Sequence, residues 1–220
     1  MSQRQLGLFP EPAPTLPDGF SYQADAISPA AERDLVDRMI GLEFKEFELR
    51  GFLGKRRVVS FGWQYDYNVQ RLQKRAPMLD FLEPLRDVAA RFAGLASETL
   101  EQALVTEYSP GVAIGWHRDR PMFGDVVGIS LLSPCLFRLR RKDGSRWQRA
   151  SLTVEPRSIY LLRGPAREEW EHSIPAVDRL RYSVTFRTFR ADAIRPGVTT
   201  FSSEDRLPAE RSGTNKDATS

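Results

Sequence analysis

The chain has only two histidines, and a carboxylate stands close to each. His117 lies in Gly115-Trp116-His117-Arg118-Asp119, and His172 in Glu169-Trp170-Glu171-His172-Ser173-Ile174. In an extended segment, residues two apart project to the same face, so His117 and Asp119 can chelate one ion together. His172 comes much later, just after a predicted strand, and a jelly roll can bring that strand beside the first pair. Two imidazoles and one carboxylate form the facial set that holds iron(II) with the other coordination positions open. His-x-Asp on its own is also what a surface histidine looks like, so the reading needs more residues.

They come in Arg179-Leu-Arg181-Tyr-Ser-Val-Thr-Phe-Arg187. On a strand, Arg181, Ser183, Thr185 and Arg187 share one face, and Tyr182, Val184 and Phe186 the other. Two guanidinium groups on the inward face of a barrel strand are costly without anions to pair with. A dicarboxylate supplies two. An edge strand with its charged face in solvent would show the same pattern.

Positioning these groups requires a particular order of elements. The 220 residues suit one domain with short extras. Hydrophobic residues at 41% and charged residues at 28% are ordinary for a globular chain. Met1 to about Gly19 is proline-rich and reads as a flexible arm, residues 20–201 as the domain, and residues 202–220 as a polar, disordered tail. Ser28-Pro29 caps a predicted helix with Ala31, Leu35, Val36, Met39 and Ile40 at helical spacing and Gly41 as its stop. A second helix is expected from about Pro84 to Gly94. After Leu100 strands are expected at Ala103–Tyr108, Val112–His117, Val126–Leu132, Leu136–Arg140, Trp147–Val154, Ser158–Leu162 and Leu180–Phe189, separated by turn residues. Helices first and then many short strands predict an α+β chain. Its core is a double-stranded β-helix (jelly roll), with the N-terminal helices packed outside.

The 32 basic and 29 acidic side chains leave a formal charge of only +3, so bulk charge does not demand a polyanion. Arg138 to Arg149 nevertheless carries six basic groups against one acid, with Trp147 among them. Such a ribbon is compatible with phosphate contacts or with a solvated hairpin. The lone Cys135 excludes an intramolecular disulfide and a thiolate metal cluster. No apolar run fits a signal peptide or a membrane span, which makes a cytoplasmic monomer the default expectation.

Arg181-Tyr-x-x-Thr-Phe-Arg187, downstream of His-x-Asp and a distal His, resembles the AlkB family of nucleic-acid dioxygenases. Glu107-Tyr108-Ser-Pro-Gly-Val-Ala-Ile-Gly-Trp-His117 resembles the family's approach to its metal, and Arg56 to Tyr67 its substrate-side segment. The resemblance implies iron(II), 2-oxoglutarate and O2 as cofactors and cosubstrates. His117, Asp119 and His172 would then be metal ligands and catalytic residues. Arg181 would pair with the distal carboxylate of 2-oxoglutarate, helped by Tyr108, and Arg187 would lie near the carboxylate that chelates iron. Thr106 and Ser183 stand where the best-known bacterial member has Asn, so their cosubstrate contacts depart from its pattern. The implied reaction turns 2-oxoglutarate into succinate and carbon dioxide while a C–H bond is hydroxylated. On an N-methylated base the hydroxymethyl group then leaves as formaldehyde.

The implied function is oxidative dealkylation of nucleobases in DNA or RNA. Arg120-Pro121 directly after the His-x-Asp pair lacks the acidic residues of the DNA-repair member and leaves oxidation of a modified tRNA base as an alternative. A non-catalytic nucleic-acid or clamp-binding module is a third. Trp63, Tyr65, Tyr67, Trp116 and Trp170 are candidates for stacking an extruded base. Gln5-Leu-Gly-Leu-Phe9 resembles the short peptide by which bacterial proteins bind the sliding clamp, or is an arm that folds back on its own domain.

Overall fold

The computed structural model describes residues 16–49, 52–66, 71–74 and 76–190. Gln5–Phe9, Tyr67 and the tail at 202–220 lie outside the described residues. Two antiparallel sheets face each other. The larger contains β1 (Phe20–Gln23), β2 (Lys45–Leu49), β3 (Phe52–Asp66), β4 (Arg71–Lys74), β5 (Gln102–Tyr108), β7 (Phe123–Leu131), β10 (Ile159–Leu162) and β12 (Arg181–Phe189). Its order is β1-β10-β7-β12-β5-β3-β2, with β4 paired only to β3. The smaller sheet runs β6 (Ile114–His117), β11 (Glu171–Ile174), β8 (Cys135–Asp143), β9 (Arg146–Val154). This is the expected α+β jelly roll.

Two cores hold it together, one on each side of the larger sheet. Helices α1 (Pro29–Ile40) and α2 (Glu83–Ala93) cover the outer face, where Leu35, Met39, Leu85 and Ala89 meet Val105, Ile129, Val184 and Phe186. Ser28 caps α1 by accepting from the Ala31 amide, and Gly94 ends α2 in the left-handed region at φ 65°. The second core fills the space between the sheets with Phe137, Leu139, Val126, Tyr160 and Ile174. Gly128 makes that filling possible, because a Cβ there would stand 2.1 Å from the Tyr160 ring.

Several expectations need correction. Residues Leu16–Gly19 are not part of a loose arm: Leu16 packs into the inner core, and the Gly19 and Asp18 carbonyls accept from the Arg163 and Ala166 amides. Helices do not all precede strands, since β1–β4 come before α2. Arg163-Gly-Pro is not a simple turn but leads into a short helix, α3 (Gly164–Glu168). His172 does not follow a strand; it lies within β11, which the sequence pattern missed. Strand β12 is no edge, being paired on both sides by β5 and β7. At Gly62 (φ 79°) β3 leaves β5 and pairs onward with β4. A Cβ at that position would lie 2.1 Å from the Glu101 carbonyl oxygen. No helix among the described residues is long and apolar enough to cross a membrane.

Candidate active site

Strand pairing brings the two histidines together: His117 on β6 and His172 on β11 are direct cross-strand partners. Their rings lie 4.2 Å apart, and His172 stacks on Phe137 at 5.3 Å. Asp119, two residues beyond the end of β6's pairing, turns to the same side, with Oδ2 3.7 Å from His172 Nε2. The His117 Nδ1 sits 2.9 Å from the Gly115 carbonyl. A carbonyl only accepts, so Nδ1 carries the proton and Nε2 keeps its lone pair free. Burial, then the neighbouring His117, pushes the His172 imidazole down to about 3, and burial lowers His117 as well. Neutral imidazoles are the form a metal needs. Asp119 is held ionised well below the ordinary carboxylate range: burial opposes its charge, but the nearby cations, Arg187 foremost and then Arg167, favour it.

The donor chemistry of two neutral imidazoles and one ionised carboxylate fits a divalent metal, which His117, His172 and Asp119 would hold, although among the described residues no three His, Cys, Asp or Glu side chains stand in finished metal-holding geometry.

The two arginines of β12 divide their work. Arg187 donates from Nε and Nη2 to Asp119 Oδ1 at 3.2 and 3.0 Å, and from Nη1 to Gln102 at 3.1 Å. It already has its anion. Arg181 is fully buried; among the described residues it bonds through Nε alone, to Ser130 Oγ at 3.0 Å, and Nη1 and Nη2 have no partner. Arg157 and Arg167 each leave a buried Nε unpaired, but both are anchored through other nitrogens. Thus, among the described residues, one guanidinium of the pair has its anion and the other has none. The Arg181 Cζ lies 4.9 Å from the centre of the Tyr108 ring, and Tyr108 is Arg181's partner on β5. Thr106 and Ser183 face each other one step along, both buried on this inner face.

Four contributors were not legible in the sequence. Ser130 and Gln102 are ordinary strand residues that only the sheet register brings to Arg181 and Arg187. Arg167, on α3, donates to the Arg120 and Phe123 carbonyls, and burial lowers its pKa with Asp119 acting against that. Arg56 precedes Arg57, the partner of Glu107, so strand alternation puts it on the Tyr108 side. Its guanidinium lies 3.7 Å over Phe47. Burial weakens its hold on its proton, with Tyr108, Arg187 and Asp119 all near enough to act on it. The stacking candidates fare differently. Trp170 is buried in the inner core, and Trp116 lies against Arg138 and Arg140 on the far side of its sheet. Trp63 is half-buried just after the Gly62 bend.

Comparison with known proteins agrees with this geometry. The model of the 2OG-Fe(II) oxygenase superfamily matches residues 23–188. The chain is 31% identical over 164 residues to the alkylated DNA repair protein ALKBH8 homolog of Arabidopsis thaliana, covering 63% of this chain and 47% of that protein. It is 26% identical over 170 residues to the tRNA (carboxymethyluridine(34)-5-O)-methyltransferase alkbh8 of Xenopus tropicalis, covering 74% of this chain and 26% of that one. The chain thus spans less than half the length of these relatives. The solved structure of OsALKBH1 superposes with a TM-score of 0.57 at 15% identity, over 80% of this chain and all of that one, which speaks for the fold alone.

Proposed function

We propose, from the premise that this chain belongs to the 2OG-Fe(II) oxygenase superfamily, that it oxidises alkylated nucleobases in DNA or RNA, as an AlkB-like enzyme. Its activity is that of a 2-oxoglutarate-dependent dioxygenase using iron(II) and O2. The proposal extends to the residues: His117, Asp119 and His172 hold the iron, and Arg181 with Tyr108 holds the distal carboxylate of 2-oxoglutarate. One observation carries it. Among the described residues, a fully buried guanidinium with two partnerless nitrogens lies on the inner face of β12, across the space between the sheets from the histidine–aspartate cluster and on the same side as Arg187, which reaches Asp119. A buried cation left unpaired is expensive, and a bidentate carboxylate removes the cost.

When bound, iron and 2-oxoglutarate supply hydroxylation of a C–H bond, with succinate and carbon dioxide as co-products. The chain's own residues prepare the place. Gly115 fixes the His117 tautomer, and Phe137 fixes the His172 ring plane. Arg187 occupies Asp119 Oδ1 and so leaves Oδ2 as the ligand atom on the histidine side. Thr106 and Ser183 line the cosubstrate face without the amide hydrogen bonds an Asn would offer.

Succinate production across methylated DNA, methylated RNA and tRNA tests the reading. Turnover stimulated by a methylated oligonucleotide, with formaldehyde released, supports dealkylation. Stimulation by tRNA alone would favour oxidation of a modified tRNA base, a second reading supported by the tRNA-directed name of one relative. Stimulation by none would remove the nucleic-acid substrate and leave the oxygenase. A clamp-binding role for Gln5–Phe9 is proposed separately. A labelled peptide of that sequence should gain anisotropy with sliding clamp at about micromolar affinity, and a Leu8→Ala, Phe9→Ala peptide should not.

A further inference from the structure

The outer face of the smaller sheet carries a second concentration of chemistry that the iron site does not use. Side chains alternate along β6 and β11, so the residues between and beside the metal-site groups point the other way. Arg118 and Glu171 therefore open onto the reverse side of the strands that present His117, Asp119 and His172. There they border an open cleft of about 490 Å³ together with Arg140, Lys142 and Trp147 of the β8–β9 hairpin and with Glu168 and Glu169.

This hairpin is poorly explained by folding alone. Arg140 and Arg149 are direct cross-strand partners, an arrangement of like charges that destabilises a sheet. Arg140 is relieved by Glu171 at 2.6 Å, and Arg141 has its own partner in Glu169. Lys142, Arg146 and Arg149 have no ion pair among the described residues. Arg140 is also sandwiched between two indoles, 4.3 Å from Trp116 and 4.4 Å from Trp147. Trp147 caps that stack and remains 40% exposed. A large aromatic plane is thus held rigidly at the rim of a cleft, with unpaired cations beside it.

We infer that this cleft is an accessory docking site for a nucleotide of single-stranded nucleic acid, a base stacking on Trp147 while Lys142 in the cleft and Arg149, outside it but two residues from Trp147 along β9, take its phosphates. Aromatic planes interleaved with cations suit single strands, whose bases are free to stack. The carboxylates beside the cleft are already held by cations, Glu168 by Arg190, Glu169 by Arg141 and Glu171 by Arg140, so they oppose a phosphate less than free acids would. The inference rests on the nucleic-acid reading above but concerns a different face of the sheet.

The experiment is anisotropy of fluorescein-labelled single-stranded oligothymidylate and oligouridylate titrated with the full chain, over a range of salt. Trp147→Ala should weaken binding on the order of tenfold, the usual worth of one stacked base. Trp147→Phe should restore most of it. Arg149→Gln should lower the slope of log affinity against log salt by about 0.7, one phosphate contact on a single strand. Melting temperatures of the variants, compared with the parent, show that the fold is kept. Equal affinity for parent and Trp147→Ala would overturn the cleft while leaving the substrate reading intact. Displacement by polyglutamate as effective, charge for charge, as by oligonucleotide would overturn it in favour of an acidic protein partner. Failure of the parent chain itself to bind either oligonucleotide would overturn this inference, while the nucleic-acid reading stands or falls separately on turnover with methylated oligonucleotides and tRNA.

Discussion

Strand β12 has two faces that obey different rules. Its outer residues Tyr182, Val184 and Phe186 lie under α1 and α2, and the polar atom among them is fully paired: the Tyr182 hydroxyl donates to Glu107 at 2.9 Å, and Glu107 also receives Arg57. Burial and that carboxylate push Tyr182 up to about 12, so it stays a neutral donor. Its inner residues Arg181, Ser183, Thr185 and Arg187 are just as buried yet polar, and Arg181 is left incomplete. Adjacent positions on one strand thus serve two ends. The outer face stabilises the domain in every state, while the inner face is at its best only with a ligand present.

Substitutions can force this contrast into the open. The largest effect is expected from the metal cluster: His172→Ala should cut succinate formation by at least about a thousandfold, roughly 4 kcal/mol of barrier, and reduce bound iron, with the melting temperature little changed, while Asp119→Ala should do the same and also lower the melting temperature, because Arg187 is left buried without its anion. Near-parental iron content and turnover in His172→Ala would mean the ligand assignment is wrong. On the other face, Phe186→Ala should destabilise the fold by about 3–5 kcal/mol in denaturant unfolding. The folded fraction should still bind 2-oxoglutarate with parental affinity. A large loss of affinity there would erase the distinction between the faces.

Arg181→Met is the sharpest comparison. Removing the charge partner should weaken 2-oxoglutarate binding by about 2 kcal/mol or more, some thirtyfold in the calorimetric Kd. The ligand-free protein should melt no lower than the parent, since an apolar side chain of similar length replaces an unsatisfied buried cation. Cosubstrate at a hundred times the parent's Kd should stabilise the parent by about 2.7 kcal/mol and the variant by about 1 kcal/mol or less. A ligand-free Arg181→Met protein that melts well below the parent would show that Arg181 is structural. The smallest effect is expected far from the site. Ser28→Ala should cost about 1 kcal/mol through the lost α1 cap, visible in unfolding and absent from turnover.

The parts visible in the sequence were those in which a local pattern and its physical cause coincide. Ser28-Pro29 and Gly41 bracket α1 because capping chemistry is local. The alternation in β12 was legible because both faces are buried with opposite polarity. Strand β11 was missed because its four residues follow directly on a short helix and carry no alternation long enough to read. The early strands were missed because β3 mixes basic and apolar residues through a bend at Gly62. The histidine–aspartate cluster and Arg181 followed from residue type and order. Ser130, Gln102 and Arg56 did not, because their roles depend on which strand lies beside which. The pairing of Arg187 with Asp119 was likewise a matter of three-dimensional reach across 68 residues.

The bend at Gly62 divides β3 into segments with different support. From Arg57 to Gly62 its backbone is laddered to β5 within the larger sheet; from Trp63 to Asp66 its strand partner among the described residues is β4, with one further bond from the Trp63 amide to the Glu101 carbonyl. A two-stranded ribbon is marginal in water without further cover. Amide exchange should therefore change character within a single strand. Protons before the glycine should be released only with opening of the whole domain, and those after it through a cheaper local opening. If so, the glycine is a thermodynamic border: the β3–β4 hairpin can gain or lose order with what lies against it while the sheet behind keeps its register.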